Sequence, residues 1–248
     1  MENRCDLTGR GALVTGGSRG IGKAVAEMLA GQGAQVAVHY GMDKNAARHV
    51  LEGLPGEGHV MLDADLGDSE QAARLPWRAA QELDSLDIVV NNAGIYVTHD
   101  ITELDSEHWR EYWDRTIAVN LSGPAHLLHG AVPHLEAAGG GHIVNTASIA
   151  GLVATPFETG YGMTKHAVVG LSQSLRIEAA DRGEVSLLPR ALELRAMSEY
   201  WLGRHEAATQ SCREGLRVAR AAGQHTTAGV HLGLLAVLAA VRSDHDAS

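Results

Sequence analysis

A glycine-rich run, TGGSRGIG at positions 15–22, constrains the fold of this chain more than any other feature. It follows a short apolar segment at 11–15 and precedes a segment at 21–30 whose apolar residues recur at helical spacing. Glycines allow a tight turn here, and they let the backbone N–H groups of a helix N-terminus approach a pyrophosphate. A second apolar segment at 35–40 follows at the distance expected of a strand–helix–strand unit. The run therefore predicts a dinucleotide-binding turn between a first strand and a first helix.

Short apolar runs alternate with longer helical segments through the first 183 residues. The predicted strands are 11–15, 35–40, 59–62, 87–90 and 141–146, and the predicted helices are 21–30, 44–54, 69–83, 106–135 and 160–180. Ser106 is the expected N-cap of the long fourth helix, and Pro76 is a candidate site for a kink in the third. Alternation of this kind predicts an α/β fold in which helices cover both faces of a parallel sheet.

After residue 183 the pattern changes to helical segments alone. Residues 189–202, 204–222 and 226–242 have helical periodicity, and only 185–188 is a candidate strand. We therefore predict an α/β domain at 1–185 followed by an all-helical segment at 186–248.

The formal net charge of −10 argues against nucleic acid or an anionic membrane surface as the main partner. Cys5 and Cys212 match no metal or disulfide spacing, and the histidines show no metal-ligand pattern. The N-terminal segment lacks the apolar run of a signal peptide. A reduced, cytoplasmic protein without a metal centre is the expectation.

Tyr161 and Lys165 are four residues apart, which places them on one face of a helix. A neighbouring ammonium favours the phenolate and lowers a tyrosine pKa, so such a tyrosine can transfer a proton near neutral pH. Lysine is rare in this chain, where it occurs only at 23, 44 and 165. That rarity weakens the alternative explanation, which is a solvated lysine on a helix surface.

The end of the second predicted strand indicates the type of dinucleotide. NAD-binding proteins place an acidic residue there to hold the ribose hydroxyls. This chain has His39, Tyr40, Gly41 and Met42 instead, and its first acid is Asp43. Positive charge from Arg19 in the glycine-rich run could face a 2′-phosphate. NADP(H) is therefore expected, and NAD is the less favoured alternative.

These motifs together resemble the short-chain dehydrogenase/reductase family. TGGSRGIG, NNAG at 91–94, Asn120, Ser148 and YGMTK at 161–165 stand in the family's order and spacing over about residues 7–183. Within the family the chain is most similar to 3-oxoacyl-carrier-protein reductases and related carbonyl reductases. The resemblance implies a Rossmann-type sheet and an NADP(H)-dependent oxidoreductase that reduces a ketone or 3-oxoacyl group to a secondary alcohol.

The resemblance also assigns roles to individual residues. Tyr161 would be the general acid/base, and Lys165 would lower its pKa and hold the nicotinamide ribose. Ser148 would hydrogen-bond the substrate oxygen, and Asn120 would hold a water in the proton relay. Besides Lys165, the implied cofactor contacts are Tyr161 itself and Gly16, Ser18, Arg19, Gly20, Ile21, Gly22, Tyr40, Asp65, Leu66, Asn91, Asn92, Ala93 and Gly94.

Plainer structural roles compete with three of these assignments. Ser148 could cap the turn that follows its strand, and Asn120 could satisfy backbone groups at an irregular point of a helix. Asp65 could be a helix N-cap, although Asp68 and Ser69 compete for that position.

The chain departs from the family after the Tyr/Lys helix. Family members continue with a sixth strand, a Pro-Gly loop at the nicotinamide, a substrate-covering segment and a seventh strand, whereas this chain reads GEVSLLPRALELR from position 183. Loss of those parts would leave the fifth strand exposed. Residues 187–245 resemble instead a tetratricopeptide-like helical segment of LuxR-type regulators.

Two further expectations concern partners and function. In this family the helices at 106–135 and 160–180 commonly pair subunits, so a homo-oligomer, a dimer or tetramer, is expected beside a small carbonyl substrate. The helical tail suggests a protein partner. The alternative to an enzyme is a non-catalytic dinucleotide-binding or scaffold protein, and a third reading is a rearranged chain with marginal folding.

Overall fold

The computed structural model describes residues 6–181 and 204–221. The predicted helices at 189–202 and 226–242 and the predicted domain boundary at 185–186 lie outside the described residues. Of the predicted helical tail, the helix at 204–222 is confirmed over its described residues, His205–Ala221.

The described residues form a parallel sheet of five strands. The strands are β1 Gly11–Val14, β2 Gln35–Tyr40, β3 Val60–Asp63, β4 Ile88–Asn91 and β5 His142–Asn145. Their order across the sheet is β3-β2-β1-β4-β5, with Val14 paired to Val38 and Val90 paired to Val144. The predicted Rossmann-type α/β fold is confirmed, because the strand order reverses at β1 as it does in doubly wound sheets.

The helices connect and follow these strands. They are α1 Gly20–Gly31, α2 Lys44–Gly53, α3 Ser69–Glu82, α4 Ser106–Ile117, α5 Gly123–Ala137, α6 Thr159–Asp181 and α7 His205–Ala221. Pro76 lies inside α3, which continues through it to Glu82. A short 3₁₀ turn, Ile149–Gly151, precedes α6.

The segment at 106–135 is mostly helical, as predicted, but its predicted N-cap was wrong. The segment is divided into α4 and α5 by a π-helical turn, Ala118–Ser122, which a search for regular helical periodicity does not detect. The N-cap of α4 is Asp105 rather than Ser106. The Asp105 carboxylate accepts the N–H groups of Glu107 and His108 at 2.9 and 3.0 Å, whereas Ser106 is already helical.

Alternate residues of the strands supply two separate hydrophobic clusters. Leu13 and Val89 lie in the cluster on the α3 and α5 face, together with Leu75 and Leu127. On the other face, the apolar residues of α1 and α2 pack with Ala12, Val14, Val36, Val38, Tyr40, Ile88 and Val90. The near-continuous apolar strands are explained by this burial on both faces.

β5 lies at an edge of the sheet formed by the described residues, and it is less buried than the other strands. His142 and Val144 are exposed, Val144 to 51%. This agrees with the expectation that the fifth strand would lose cover where the chain departs from the family.

The chain divides into two compact units, Met1–Val169 and Gly170–Ser248. The first contains the sheet and the beginning of α6. In the second, α7 buries Ala208, Ser211, Cys212, Gly215 and Val218, which recur at the three- and four-residue spacing of one helix face.

Candidate functional site

The glycine-rich run leaves β1 at Thr15 and enters α1 at Gly20. Gly16 has φ +62° and Gly20 has φ +55°, a region that favours glycine. A Cβ on Gly22 would overlap the carbonyl oxygen of Gly16, so the first turn of α1 lies directly against the loop. The loop thus needs glycine at these points for both conformation and close packing.

His39, near the end of β2, lies beneath this loop and is 2% exposed. Its Nδ1 accepts the N–H of Gly16 at 3.0 Å, and its backbone oxygen accepts the N–H of Gly17 at 2.9 Å. Its Nε2 lies 3.1 Å from the carbonyl oxygen of Ala64, so this nitrogen carries the proton. Burial lowers the pKa of His39 to about 4, against the raising effects of the Ala64 bond and Asp63. No role was predicted for His39. The signal that it has one was its position as a polar residue inside the apolar run QVAVHY.

Thr15 joins the loop to the segment that follows β4. Its hydroxyl oxygen accepts the N–H groups of Asn92 and Ala93 at 2.9 and 3.0 Å, and it donates to Val90 O at 3.1 Å. The Asn92 amide in turn donates to Thr15 O at 3.0 Å. The two predicted cofactor-binding segments are therefore brought together at the carboxyl ends of β1 and β4.

The residues around the α1 N-terminus suit an anionic cofactor. The first-turn N–H groups of a helix have no intrahelical acceptor, and the helix dipole adds positive potential there. Ser18 is half-buried, and Arg19, Gly20 and Ile21 are exposed beside these groups. The donor set therefore fits the pyrophosphate of a dinucleotide.

Other predicted cofactor residues lie in less open positions. Tyr40 and Leu66 are buried in the two hydrophobic clusters. Asn91 is buried in β4 and donates from Nδ2 to Asn145 Oδ1 of β5 at 2.9 Å. These three residues support the sheet beneath the site, and direct contact of their side chains with a cofactor stays a prediction.

Asp65 forms an ion pair rather than a helix cap. Both carboxylate oxygens accept from Arg115, at 2.9 and 3.0 Å, and Oδ1 also accepts the N–H of Gly67 at 2.8 Å. The hydrogen bonds from Arg115 hold the pKa of Asp65 below its usual value, although burial opposes them. Asp68 is the N-cap of α3, where it accepts from Glu70 and Gln71. The N-cap alternative for Asp65 was wrong, and its predicted contact with adenine stays a prediction.

The first turns of α6 carry Tyr161 and Lys165. The ammonium of Lys165 lies 5.7 Å from the centroid of the Tyr161 ring and donates to Thr146 O at 2.8 Å. Lys165 is 6% exposed, and this burial lowers its pKa. A half-buried phenol thus has a buried ammonium beside its ring, as the four-residue spacing predicts.

Asn120 lies in the π-helical turn and is 1% exposed. Its Oδ1 accepts the N–H of Ile95 and its Nδ2 donates to Ile95 O, both at 2.8 Å. A Cβ on Gly94 would lie 3.2 Å from Asn120 Oδ1 and 3.9 Å from Lys165 Nζ, so these three residues meet. The amide therefore satisfies backbone groups of Ile95, in the segment after β4, rather than those of the irregular helix that the plainer alternative names, and it does so close to the Lys165 ammonium.

Ser148 is the N-cap of the 3₁₀ turn and accepts the N–H of Ala150 at 3.2 Å. This bond uses the hydroxyl oxygen and not its proton. The turn packs on α6, because a Cβ on Gly151 would lie 2.7 Å from the carbonyl oxygen of Lys165. The turn that begins at Ser148 thus packs against the helix that carries Tyr161 and Lys165.

A family model described as short chain dehydrogenase matches residues 10–188. This range is more than half of the chain and includes the glycine-rich loop and the four residues of the predicted catalytic cluster, Asn120, Ser148, Tyr161 and Lys165. The chain belongs to the short-chain dehydrogenase family.

Several characterised proteins are similar to this short-chain dehydrogenase. D-beta-hydroxybutyrate dehydrogenase of Rhizobium meliloti (strain 1021) is 36% identical over 175 residues, 69% of this chain and 66% of that protein. The 3-oxoacyl-(acyl-carrier-protein) reductase FabG of Staphylococcus aureus (strain Mu50) is 34% identical over 176 residues, 70% of each chain. The chain spans about two thirds of the length of these relatives.

A solved structure shares the fold of the same region. It is a short chain dehydrogenase from Burkholderia cenocepacia J2315 in complex with NADP, with a TM-score of 0.63 and 32% identity, covering 71% of each chain. The similarity of residues 187–245 to a tetratricopeptide-like segment stays a prediction.

One aromatic residue of this short-chain dehydrogenase contacts the predicted general acid and was not anticipated. Tyr96 meets the Tyr161 ring edge-on, with centroids 4.9 Å apart and an interplanar angle of 77°. Its hydroxyl donates to Glu158 Oε1 at 2.6 Å, and this bond raises the pKa of Tyr96. Thr155 donates to Glu158 Oε2 at 2.5 Å. Sequence spacing does not indicate this contact, because Tyr96 lies in a loop distant in sequence from Tyr161 and only the fold brings the two rings together.

Residues 6–181 and 204–221 contain neither a metal-ligand cluster nor a membrane-spanning helix. No group of three or more His, Cys, Asp or Glu side chains in these ranges could hold a metal ion. No helix within them is both long and apolar enough to cross a bilayer.

Proposed function

We propose that this short-chain dehydrogenase reduces the carbonyl of a ketone or a 3-oxoacyl group to a secondary alcohol, with NADP(H) as the cofactor. The observation that carries the proposal is the buried Lys165 ammonium 5.7 Å from the Tyr161 ring, with the Ser148 turn packed against the same helix. The names of two relatives support the substrate class: one is a dehydrogenase of D-beta-hydroxybutyrate and the other a reductase of a 3-oxoacyl group, and both compounds carry oxygen at the 3-position.

Each side chain of the cluster has a distinct task in this proposal. Tyr161 gives its phenolic proton to the carbonyl oxygen, and the Lys165 charge stabilises the phenolate that forms. Ser148, whose oxygen already accepts from Ala150, donates its hydroxyl proton to the same carbonyl oxygen and orients it. Asn120 holds the backbone of Ile95 in place beside Lys165. When bound, the reduced nicotinamide supplies the hydride.

Two features favour NADP(H) over NAD(H) in the proposal. Arg19 stands exposed at the α1 N-terminus and makes no side-chain capping bond there. Asp43, the first acid after β2, uses its carboxylate to accept the N–H of Ala46 as the N-cap of α2. The Asp43 carboxylate thus accepts a hydrogen bond from α2, whereas the Arg19 guanidinium is available to bind a 2′-phosphate.

Replacing Tyr161 tests the proposal directly. Tyr161→Phe removes the proton donor but keeps the ring, so turnover of a 3-oxoacyl thioester with NADPH should fall by at least about 100-fold. NADPH affinity, measured by fluorescence of the bound nucleotide, should stay within about threefold. Tyr112→Phe is the matched control, because it removes the buried hydroxyl of another tyrosine, on α4, from a position with no hydrogen-bond partner. Unchanged turnover in Tyr161→Phe would refute the mechanism.

The same assay addresses the non-catalytic alternative. That alternative draws on the match to only about two thirds of the curated relatives' length. NADPH binding by the wild-type chain with no oxidation across ketones, 3-oxoacyl thioesters and free 3-oxo acids would favour a dinucleotide-binding module. We expect the proposed enzyme to act in the cytoplasm. We also expect it to form a homo-oligomer, and sedimentation of the purified chain would test this oligomeric state. A protein partner for the helical tail is a further part of the proposal.

A further inference from the structure

One buried titratable side chain touches the cofactor loop without belonging to the proton-transfer cluster. His39 reaches two segments of the predicted dinucleotide site through its two ring nitrogens. Nδ1 accepts from Gly16 in the loop after β1, and Nε2 donates to Ala64, which follows β3 and precedes Asp65. With Gly17 bonded to its backbone oxygen, His39 joins the ends of β1, β2 and β3.

We propose that His39 is a positioning residue that holds the glycine-rich loop in its cofactor-binding conformation. The proposal rests on the proposed function, because it takes the loop to be the dinucleotide site. It concerns the loop and not the chemistry, so its effect belongs to cofactor affinity rather than to proton transfer.

The loop conformation needs external support because its backbone is unusual. Gly16 is in the left-handed region at φ +62°, and in the unfolded chain a glycine visits many other conformations. The imidazole of His39 accepts the N–H of Gly16. On the other side of the same residue, Asn92 and the packed Gly22 approach the carbonyl oxygen of Gly16. A loop that is already ordered does not have to be ordered by the ligand, and such preorganisation increases affinity.

The same bonds determine which amides remain for the cofactor. Gly16 and Gly17 direct their N–H groups at the ring and the backbone oxygen of His39. The phosphate contacts then fall to the first-turn amides of α1, at Gly20, Ile21 and Gly22, which have no intrahelical acceptor. His39 thereby places the helix N-terminus, and not the loop amides, at the phosphates.

Only the neutral imidazole can hold the loop in this way. A proton on Nδ1 would point at the N–H of Gly16 and remove the acceptor. The charged groups that act on the ring are Asp63, which favours the protonated form, and Arg78, which disfavours it. These two form an ion pair at 3.0 Å, so their effects on His39 largely offset each other. Burial therefore keeps the ring neutral at physiological pH.

The test compares two substitutions of His39 with a matched histidine. His39→Asn keeps an acceptor near the position of Nδ1, whereas His39→Leu removes both ring nitrogens. His59 is the control, because it makes the same pair of bonds elsewhere: Nδ1 accepts from Val36 N at 3.1 Å and Nε2 lies 2.9 Å from Pro55 O. Its bonds lie at the opposite end of β2 from the loop.

The first readout is the dissociation constant for NADPH, from nucleotide fluorescence. We expect His39→Leu to raise it at least about fivefold, His39→Asn to stay within about threefold of wild type, and His59→Leu to leave it unchanged. Single-turnover rates at saturating NADPH should match wild type in all three. Equal affinity in His39→Leu and wild type would overturn the role of His39 and leave the proposed function standing, whereas a wild-type chain that binds no dinucleotide would overturn both.

The second readout needs no cofactor. Hydrogen exchange of the Gly16 amide should be faster in His39→Leu than in wild type, because that amide loses its acceptor. Exchange at Gly16 should be unaffected in His59→Leu. Unchanged protection of Gly16 in His39→Leu would overturn the proposal even if that variant were less stable overall.

Discussion

Arg19 is the side chain on which the proposed cofactor preference depends. It is the N-cap residue of α1, but its exposed side chain makes no capping bond, so removing that side chain leaves the described hydrogen bonds intact. Arg19→Ala should therefore lower kcat/KM for NADPH by about tenfold, the value of one charge-assisted contact, and leave that for NADH nearly unchanged. Steady-state kinetics with both nucleotides measure the ratio. Lys23→Ala, one turn further along α1, is the control, and an equal loss for the two nucleotides would contradict a 2′-phosphate contact.

His39 also makes a prediction about stability and pH. Its pKa is about 4 in the folded protein and about 6.5 when exposed, so between these values the unfolded chain binds more protons. Stability supplied by the neutral ring is complete above about pH 6.5 and is lost as the pH falls towards 4. The total contribution of the neutral ring to the free energy of unfolding is roughly 3 kcal/mol. Urea unfolding between pH 7.5 and 5 should show this slope in wild type and His59→Asn, and a smaller slope in His39→Asn. Identical slopes in all three proteins would contradict it.

Residue spacing predicted the proximity of Tyr161 and Lys165 better than it predicted the residues around them. Tyr161 and Lys165 share a helix face by local geometry, so their proximity follows from sequence. Ser148 and Asn120 could be placed only by resemblance, since they meet α6 through the 3₁₀ and π-helical turns. Tyr96 was missed because its contact with Tyr161 is made by the fold and leaves no pattern in the chain.

The start of α4 illustrates the limits of prediction at the level of an element. Both Asp105 and Ser106 are good N-cap residue types, and the choice between them depends on backbone dihedrals. Asp105 has φ −67° and ψ 166°, an extended conformation that lets its carboxylate reach two amides. Such a choice between neighbours cannot be made from residue type alone.

Replacing each candidate cap separately tests this assignment. Asp105→Ala should lower the free energy of unfolding by about 1 kcal/mol, because two N–H groups lose their acceptor. Ser106→Ala should change it by less than about 0.5 kcal/mol, since alanine is the better helix former. Urea denaturation at pH 7 compares the two variants. A larger loss in Ser106→Ala would show that the cap had been assigned to the wrong residue.

The π-helical turn between α4 and α5 has a structural cause that the hydrophobic periodicity of the sequence does not show. Asn120 points inward and uses both amide groups on Ile95, and the turn allows it to do so. A Cβ on Gly123 would overlap the carbonyl oxygen of Leu66, so the chain passes close to another backbone at the end of this turn. Both constraints come from segments distant in sequence, which is why the residues of 106–135 alone do not locate the π-helical turn.

For the molecule as a whole, the alternation of strands and helices was sufficient to predict the sheet. Each observed strand overlaps its predicted segment, because a strand buried on both faces is a near-continuous apolar run, and polar turns mark its two ends in the sequence. The strand order follows from crossover connections rather than from any one residue. The helical segment after residue 183 offered no comparable rule, since helices without a sheet can pack in many ways.

Cofactor binding should stabilise the folded chain as a unit. A ligand that binds only the native state adds RT ln(1 + [L]/Kd), about 2.7 kcal/mol at a concentration 100 times Kd. For a chain of this size that raises the melting temperature by roughly 5–10 °C, and NADH at the same concentration should raise it less. Tyr161→Phe should show the same shift as wild type, because the phenolic proton serves chemistry rather than binding. Differential scanning fluorimetry measures both, and a broad melt that NADPH does not move would instead support a rearranged chain with marginal folding.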